Sequence, residues 1–346
     1  MAYISFQPKD YFNTVLYNGT GSAQSITGVG FQPDWLWQKS RSNTQDGRIF
    51  DAVRGGSKVI YPSLTNAEST DAQLITSFDS DGFTMGSAGG NVNDSGTTNV
   101  VWNWKANGQG SSNTDGSITS TVSASTTSGF SVVKWTGSGG NATIGHGLGA
   151  VPKMIMIKSL ANTTSWMVYT AMTGNNSEIA LNSSAAATGS STAWQDTDPT
   201  SSVFYVAGGA GDGVNASGDY VAYVFAEKQG FSKFGSYTGT ANADGAFIYT
   251  GFKPAWIMMK KTAGSGYHWF VFDNKRDGYN NSNKRFEASS SAAEADTSPA
   301  GNIDILSNGF KIRTTDGHIA DAGEYIYIAF AEEPLVASNG VPATAR

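Results

Sequence analysis

The sequence predicts an all-β protein built of three tandem, related antiparallel β-sandwich repeats, jelly-roll or lectin-like in kind, with little helix. Three observations predict it. A set of motifs occurs three times at matching spacing, the signature of a repeated structural unit. The apolar runs are short, rich in β-branched and aromatic residues, and bounded by Gly, Asn, Ser and Asp, as strands between turns are. The 346 residues include 42 Gly and 9 Pro and only 14% charged residues, whereas helical bundles draw on Ala, Glu, Lys, Leu and Arg.

The repeat is read in chain order. Tyr17-Asn18-Gly19 followed by Gly30-Phe31-Gln32-Pro33-Asp34-Trp35 recurs as Trp135-Thr136-Gly137 with Gly149-Ala150-Val151-Pro152-Lys153-Met154. It recurs again as Tyr237-Thr238-Gly239 with Gly251-Phe252-Lys253-Pro254-Ala255-Trp256. The Gly-to-Pro offsets are 14, 15 and 15 residues, and a lysine, Lys39, Lys158 or Lys260, stands six residues after each Pro. A strand-capping, solvated charge is the expected role of those lysines. Each unit closes on an aromatic strand that ends at Trp104, Phe225 or Phe330. The first and third units also share Phe-Asp-x-x-Arg (Asp51, Arg54; Asp273, Arg276) and a Ser-Asp/Asn-Gly-Phe turn at Gly82 and Gly309. In that turn the Gly is expected to take a positive φ. The middle unit lacks both motifs and shows Trp166-Met167-Val168-Tyr169 and Val203-Phe204-Tyr205-Val206 instead, keeping the strands without the charges.

These motifs divide the chain into an N-terminal anchoring arm at 1–11, repeats at 12–107, 129–227 and 228–333, and a tail at 334–346. Residues 108–128 are expected to be a linker: a flexible Gly/Ser joint, then a Thr/Ser-rich extended segment. The joint after Glu227 is short, so the second and third units must touch. Ser289–Ala295 and, more weakly, 183–187 are the candidates for helix, and both read equally as loops.

The net charge of −6 opposes a nucleic-acid partner, and no apolar run is long enough for membrane insertion. The absence of Cys removes disulfides and thiolate chemistry and fits assembly in a reducing cytoplasm. The first ten residues show no export signal. No nucleotide loop or nucleophile elbow is present. Asp79-x-Asp81-Gly82 begins like a calcium loop but lacks the closing Glu. The histidines at 146, 268 and 318 share no repeat position and no metal-ligand spacing. Neither a metal nor a cofactor is expected. The three-residue spacing of Asp51 with Arg54, and of Asp273 with Arg276, reads as a structural ion pair rather than an acid catalyst. Sugar-stacking aromatics flanked by polar groups point to Trp194 with Asp196 and Asp198, and to Tyr267 and Tyr279, as a glycan site, with a core role for Trp194 the competing reading. Tyr3 and Phe6 are the apolar residues by which the arm would anchor.

The repeated motifs, together with Trp-Asn-Trp-Lys-Ala-Asn-Gly, Ala-Glu-Lys-Gln-Gly-Phe-Ser-Lys-Phe-Gly-Ser-Tyr-Thr-Gly and the end Gly340-Val341-Pro342-Ala343-Thr344-Ala345-Arg346, resemble a repeat family of virion structural, tail-fibre proteins in tailed bacteriophages of marine bacteria. The resemblance runs from about Phe12 to Arg346. It implies a non-enzymatic virion protein, a tail fibre or receptor-binding component, assembled in the host cytoplasm and homo-oligomeric in the particle. Its partners would be other virion proteins and a host-surface glycan. The alternatives are a capsid-decorating or tail-associated protein and, in a different class, a glycan-cleaving depolymerase.

Overall fold

The computed structural model describes residues 6–87, 92–189, 192–209, 214–297, 302–336 and 342–345. Its strands are all antiparallel, and the only helical element among the described residues is a three-residue 3-10 turn at Pro8–Asp10. The two helix candidates are not helical: residues 289–294 are turn and loop before the short strand Ala295–Asp296, and residues 183–187 are loop.

Each unit is a sandwich of a large inner sheet and a small outer one. In the first, the inner order is Phe12–Asn18, Thr98–Trp104, Trp35–Ser40, Arg48–Asp51. Its outer sheet is Gln24–Thr27, Gly82–Met85, Ile75–Asp79. The third unit repeats this with Ser232–Gly239, Gly323–Pro334, Phe252–Lys261 and Phe270–Asp273 inside, and Phe247–Tyr249, Gly309–Ile312 and Ile303–Leu306 outside. The middle unit keeps the inner four as Phe130–Gly137, Gly218–Phe225, Met154–Ser159 and Met167–Thr170, but among the described residues its outer sheet has only Ala142–Gly145 and Val203–Val206. Of the segment expected as a linker, the stretch expected to be extended is a strand, Ser120–Ser125, and the Gly/Ser joint before it also holds a strand, Ser111–Asn113. Ser111–Asn113 and Ser120–Ser125 extend the middle unit's inner sheet, and the free edge they cover explains why this Ser/Thr-rich stretch is extended.

The Pro-motif strands, Trp35–Ser40, Met154–Ser159 and Phe252–Lys261, are buried at every position because both faces of the inner sheet are covered there. Alternation sorts the side chains: Leu36, Ile155 and Ile157, and Ile257 and Met259 turn outward into three private cores, one inside each sandwich. Trp35 and Trp37, Met154 and Met156, and Trp256 and Met258 turn inward. There they meet Trp102, Trp104, Phe130, Tyr223, Phe225 and Phe330 in one core shared by all three units. Trp35 lies 4.3 Å from Trp104 and 4.7 Å from Tyr223, and Trp104 lies 5.5 Å from both Trp256 and Phe330. Burial of one such side chain contributes about 1.5–3 kcal/mol, so this centre binds the units more strongly than any single polar contact between them.

The two Gly-Phe turns are hairpins. Gly82 has φ of +150°, but Gly309 does not have a positive φ. What both need is room: a Cβ would stand 1.9 Å from the Ile26 carbonyl oxygen in one and 2.0 Å from that of Ile248 in the other.

Candidate functional site

The chemistry of the chain is concentrated where the units meet. Strand register makes Asp51, Thr170 and Asp273 equivalent, since each pairs with the first inward residue of the Pro-motif strand (Trp35, Met154, Trp256). By the same logic Trp102, Tyr223 and Ile328 are equivalent. The backbone joins the units head to tail: Glu68 N–H donates to the Leu160 carbonyl (3.0 Å), Ala187 to Thr262 (2.9 Å) and Glu294 to Arg41 (3.1 Å). The first unit thus meets the second, the second the third, and the third returns to the first. This is a closed ring around a pseudo-threefold axis.

Two of the three junctions hold a buried ionic network. At the first, Asp51, fully buried, accepts from Arg54 Nε (2.6 Å) and from the Tyr223 hydroxyl of the second unit (2.8 Å), and Arg54 also reaches Glu68 (3.0 Å). At the third, Asp273 accepts from Arg276 Nε (2.5 Å) and from the Trp102 indole of the first unit (3.0 Å). Glu294 there takes Arg276 at 3.2 Å and Arg41, bidentate, at 2.9 and 3.0 Å. Burial alone would raise Asp273; the Arg276 charge and the hydrogen bonds override it and hold the carboxyl below its ordinary value. At the second junction every member is neutral: Thr170, Thr173 and Ala187 stand for Asp, Arg and Glu, and Ile328 for the donor. Removing one charge from such a set strands the others, so the set is present or absent as a whole.

The repeated lysines are not solvated caps. Lys39, Lys158 and Lys260 are buried, and each ammonium donates to carbonyls of its own unit and of a neighbour: Lys39 to Gln45 and Ser290 (3.1 Å), Lys158 to Ser159 (2.9 Å) and Thr65 (3.1 Å), Lys260 to Tyr267 (2.5 Å) and Ser184 (3.3 Å). With carbonyl dipoles as their close partners, burial pushes all three down to about 8.

The aromatic glycan site expected from sequence is not assembled. Trp194 is buried, its indole donating to the Ser177 carbonyl (3.0 Å) and its ring edge-on to Tyr169 (5.7 Å) inside the second private core. The positive φ of Gln195 (55°) and Asp196 (49°) turns the loop so that the indole points inward. Asp196 is exposed, and Asp198 accepts from the Tyr169 hydroxyl (3.0 Å). Tyr267 is half-buried at the second junction, with the Lys261 ammonium 4.2 Å over its ring and its hydroxyl on Asp321 (3.1 Å). Tyr279 is 83% exposed, on the loop whose next residue, Asn280, donates to the Ile305 carbonyl (2.9 Å). These residues occupy three separate places. Of the anchoring pair, Tyr3 lies outside the described residues, and Phe6 packs against Tyr11 (5.0 Å) and Phe231 (5.5 Å) at the margin of the shared core.

Sequence reasoning missed three features. His268 and His318, 50 residues apart, stack at 6.0 Å, with His318 on Asp316 (2.9 Å) and its ring on Phe270 (4.6 Å). Among the described residues no three His, Cys, Asp or Glu side chains gather as a metal site. Phe247 and Tyr249 are 49% and 56% exposed on an edge strand of the third outer sheet, where the first unit has Ser25 and Thr27 and the second Thr143 and Gly145. Comparing the three aligned strands reveals that difference. Finally, the first junction opens into a cavity of about 360 Å³ lined by Lys58, Glu68, Lys134, Asp219, Leu160 and Ala161, among others.

Residues 7–334 match the family described as a domain of unknown function (DUF7483), and the chain belongs to that family. No curated protein and no solved structure matches it.

Proposed function

We propose that the chain is a non-enzymatic structural protein of a tailed-bacteriophage particle, acting as a tail-fibre or receptor-binding component. One observation carries the non-enzymatic part: the two repeated acids, Asp51 and Asp273, are buried and saturated by an arginine and by a donor from the next unit. Glycoside cleavage needs two carboxylates open to one bond, and these face protein instead. The place on a particle rests on the motif resemblance. A ring of three units closed on its own core is a rigid base from which one unit can differ, and the exposed Phe247 and Tyr249 make the third unit the differing one. That face is the proposed contact with the host surface, since aromatic side chains are enriched where proteins bind partners.

Antibody raised against the purified chain should label particles at the tail, and the protein added in excess should compete with particle adsorption. Replacing Phe247→Ser and Tyr249→Thr, the first unit's residues, should keep the fold and abolish competition. Labelling of the capsid shell alone would transfer the protein to the decorating role. Sustained release of reducing sugar from host polysaccharide, lost on Asp51 replacement, would overturn the non-enzymatic reading.

A further inference from the structure

The three junctions are built to one plan, so a difference between them is informative. At the third, the residue two places after the buried lysine is Arg41, and its guanidinium lies along Glu294 at 2.9 and 3.0 Å. At the first, the same place is held by Leu160, which carries no charge to set against Glu68, the counterpart of Glu294. Glu68 is met there by Arg54 (3.0 Å) and, at longer range, by Lys58 (3.5 Å). The space opens into the cavity of about 360 Å³, within the usual size of a small-ligand site.

Its walls differ from those of the third junction in a second, independent way. Lys134 and Asp219 face it as an ion pair at 2.8 Å, where the first unit offers Leu16 and Thr98 at the equivalent register positions. Two ion pairs, Lys58 with Glu68 and Lys134 with Asp219, therefore line one cavity whose remaining wall includes the apolar Leu160, Ala161 and Val53. Lys134 has ammonium hydrogens to spare beyond its bond to Asp219, and Lys58 has one beyond Thr70 (2.8 Å) and Glu68. Each carboxylate likewise keeps unused lone pairs.

We propose that this cavity binds an uncharged polyhydroxylated ring, a saccharide unit. A hydroxyl both donates and accepts, so it can bridge a carboxylate and an ammonium of the same pair, whereas a carboxylate or an ammonium ligand satisfies one partner and meets like charge in the other. Arg54 also lines the cavity, but its charge is met by the buried Asp51 behind the wall at 2.6 Å, so with that pair counted positive and negative side chains balance, which favours a neutral ligand. The small apolar wall suits the C–H face of a ring. The inference goes beyond the proposed place in a particle and stands or falls without it.

The repeat supplies the decisive variant. Leu160→Arg copies Arg41 into the first junction, where the new guanidinium can reach Glu68 and fill the cavity from within. The full-length protein is titrated with glucose, galactose, mannose and N-acetylglucosamine, with arginine and glutamate as charged controls, by saturation-transfer NMR and calorimetry. At least one sugar should bind saturably, in preference to both controls. Leu160→Arg should keep or raise the melting temperature and weaken binding by at least about tenfold. The paired Lys134→Ala/Asp219→Ala variant, at half-buried positions outside the shared core, should weaken it similarly and serves if Leu160→Arg fails to fold. Binding by none of the four sugars, tighter binding of arginine or glutamate, or sugar binding undiminished in a folded variant overturns the proposal. If binding is lost while particle adsorption is unaffected, the cavity is a sugar site with no part in attachment. If sugar binds and no particle contains the protein, only the proposed function fails.

Discussion

Asp51 is the residue on which the first junction turns. It is fully buried and accepts from Arg54 and from Tyr223 of the next unit. Tyr223→Phe removes one donor from a buried carboxylate and should cost about 1.5–3 kcal/mol in urea unfolding. Asp51→Thr alone strands Arg54 and should cost about 3–5 kcal/mol. The second junction shows the remedy: Asp51→Thr, Arg54→Thr, Glu68→Ala and Tyr223→Ile together reproduce its neutral set, and should recover most of that loss. A fourfold variant no more stable than Asp51→Thr would show that the equivalence of the junctions is only formal. The buried lysines make a pH-dependent prediction of the same scale. With Lys39, Lys158 and Lys260 pushed down to about 8 from an ordinary 10.5, the unfolded chain holds more protons than the folded one between those values. Stability therefore rises as pH increases from about 8. Burial holds Tyr223 and Tyr237 well above their ordinary 10.0, so the unfolded phenols lose protons first and the slope reverses beyond about pH 10. Urea midpoints from pH 7 to 11 should trace this rise and fall, and Lys158→Met should flatten the rise. A midpoint that falls steadily from pH 8 contradicts it.

At the scale of strands, the repeats solve one packing problem in two ways. The residue before the fourth inner strand is Trp166 in the second unit and Trp269 in the third, each indole donating across a junction, to the Tyr61 carbonyl (2.8 Å) and the Ala180 carbonyl (3.0 Å). In the first unit that residue is Gly47, and the bulk comes from Trp37, whose equivalents are Met156 and Met258. A Cβ on Gly47 would stand 3.1 Å from both Trp37 Nε1 and Pro62 Cγ. Gly47→Trp should overpack by about 1–3 kcal/mol, Trp37→Met should leave a void, and the double change should restore much of both losses. A double-mutant cycle with coupling below about 0.5 kcal/mol would refute this exchange. Such an exchange is legible in the sequence only after the repeats are aligned strand by strand, because Gly and Trp at different offsets do not look like a pair. The strands themselves were plain from their short β-branched and aromatic runs. Trp194 illustrates the limit: its polar neighbours argued for a surface loop, yet the backbone turn at Gln195 and Asp196 carries the indole inside.

For the whole molecule, the shared core makes the three sandwiches one folding unit. Trp35, Trp104, Tyr223, Phe225, Trp256 and Phe330 come from all three repeats and would be bared by removal of any one. Urea unfolding followed by tryptophan fluorescence and by circular dichroism should give one coincident transition, and residues 12–107 expressed alone should expose apolar surface and bind hydrophobic dye. Three resolved transitions would show that the units are beads after all. The sequence by itself determined the fold class, the three repeats, their strands and the motif that pairs Asp51 with Arg54, because strand periodicity, turn chemistry and three-residue spacing are local. Only the tertiary structure decided that the repeats close into a ring, that their lysines are buried, that each retained acid takes a donor from the next unit, and that one junction opens into a polar cavity. Those features depend on which residues face each other across junctions from 75 to 253 positions apart, and no local pattern carries that information.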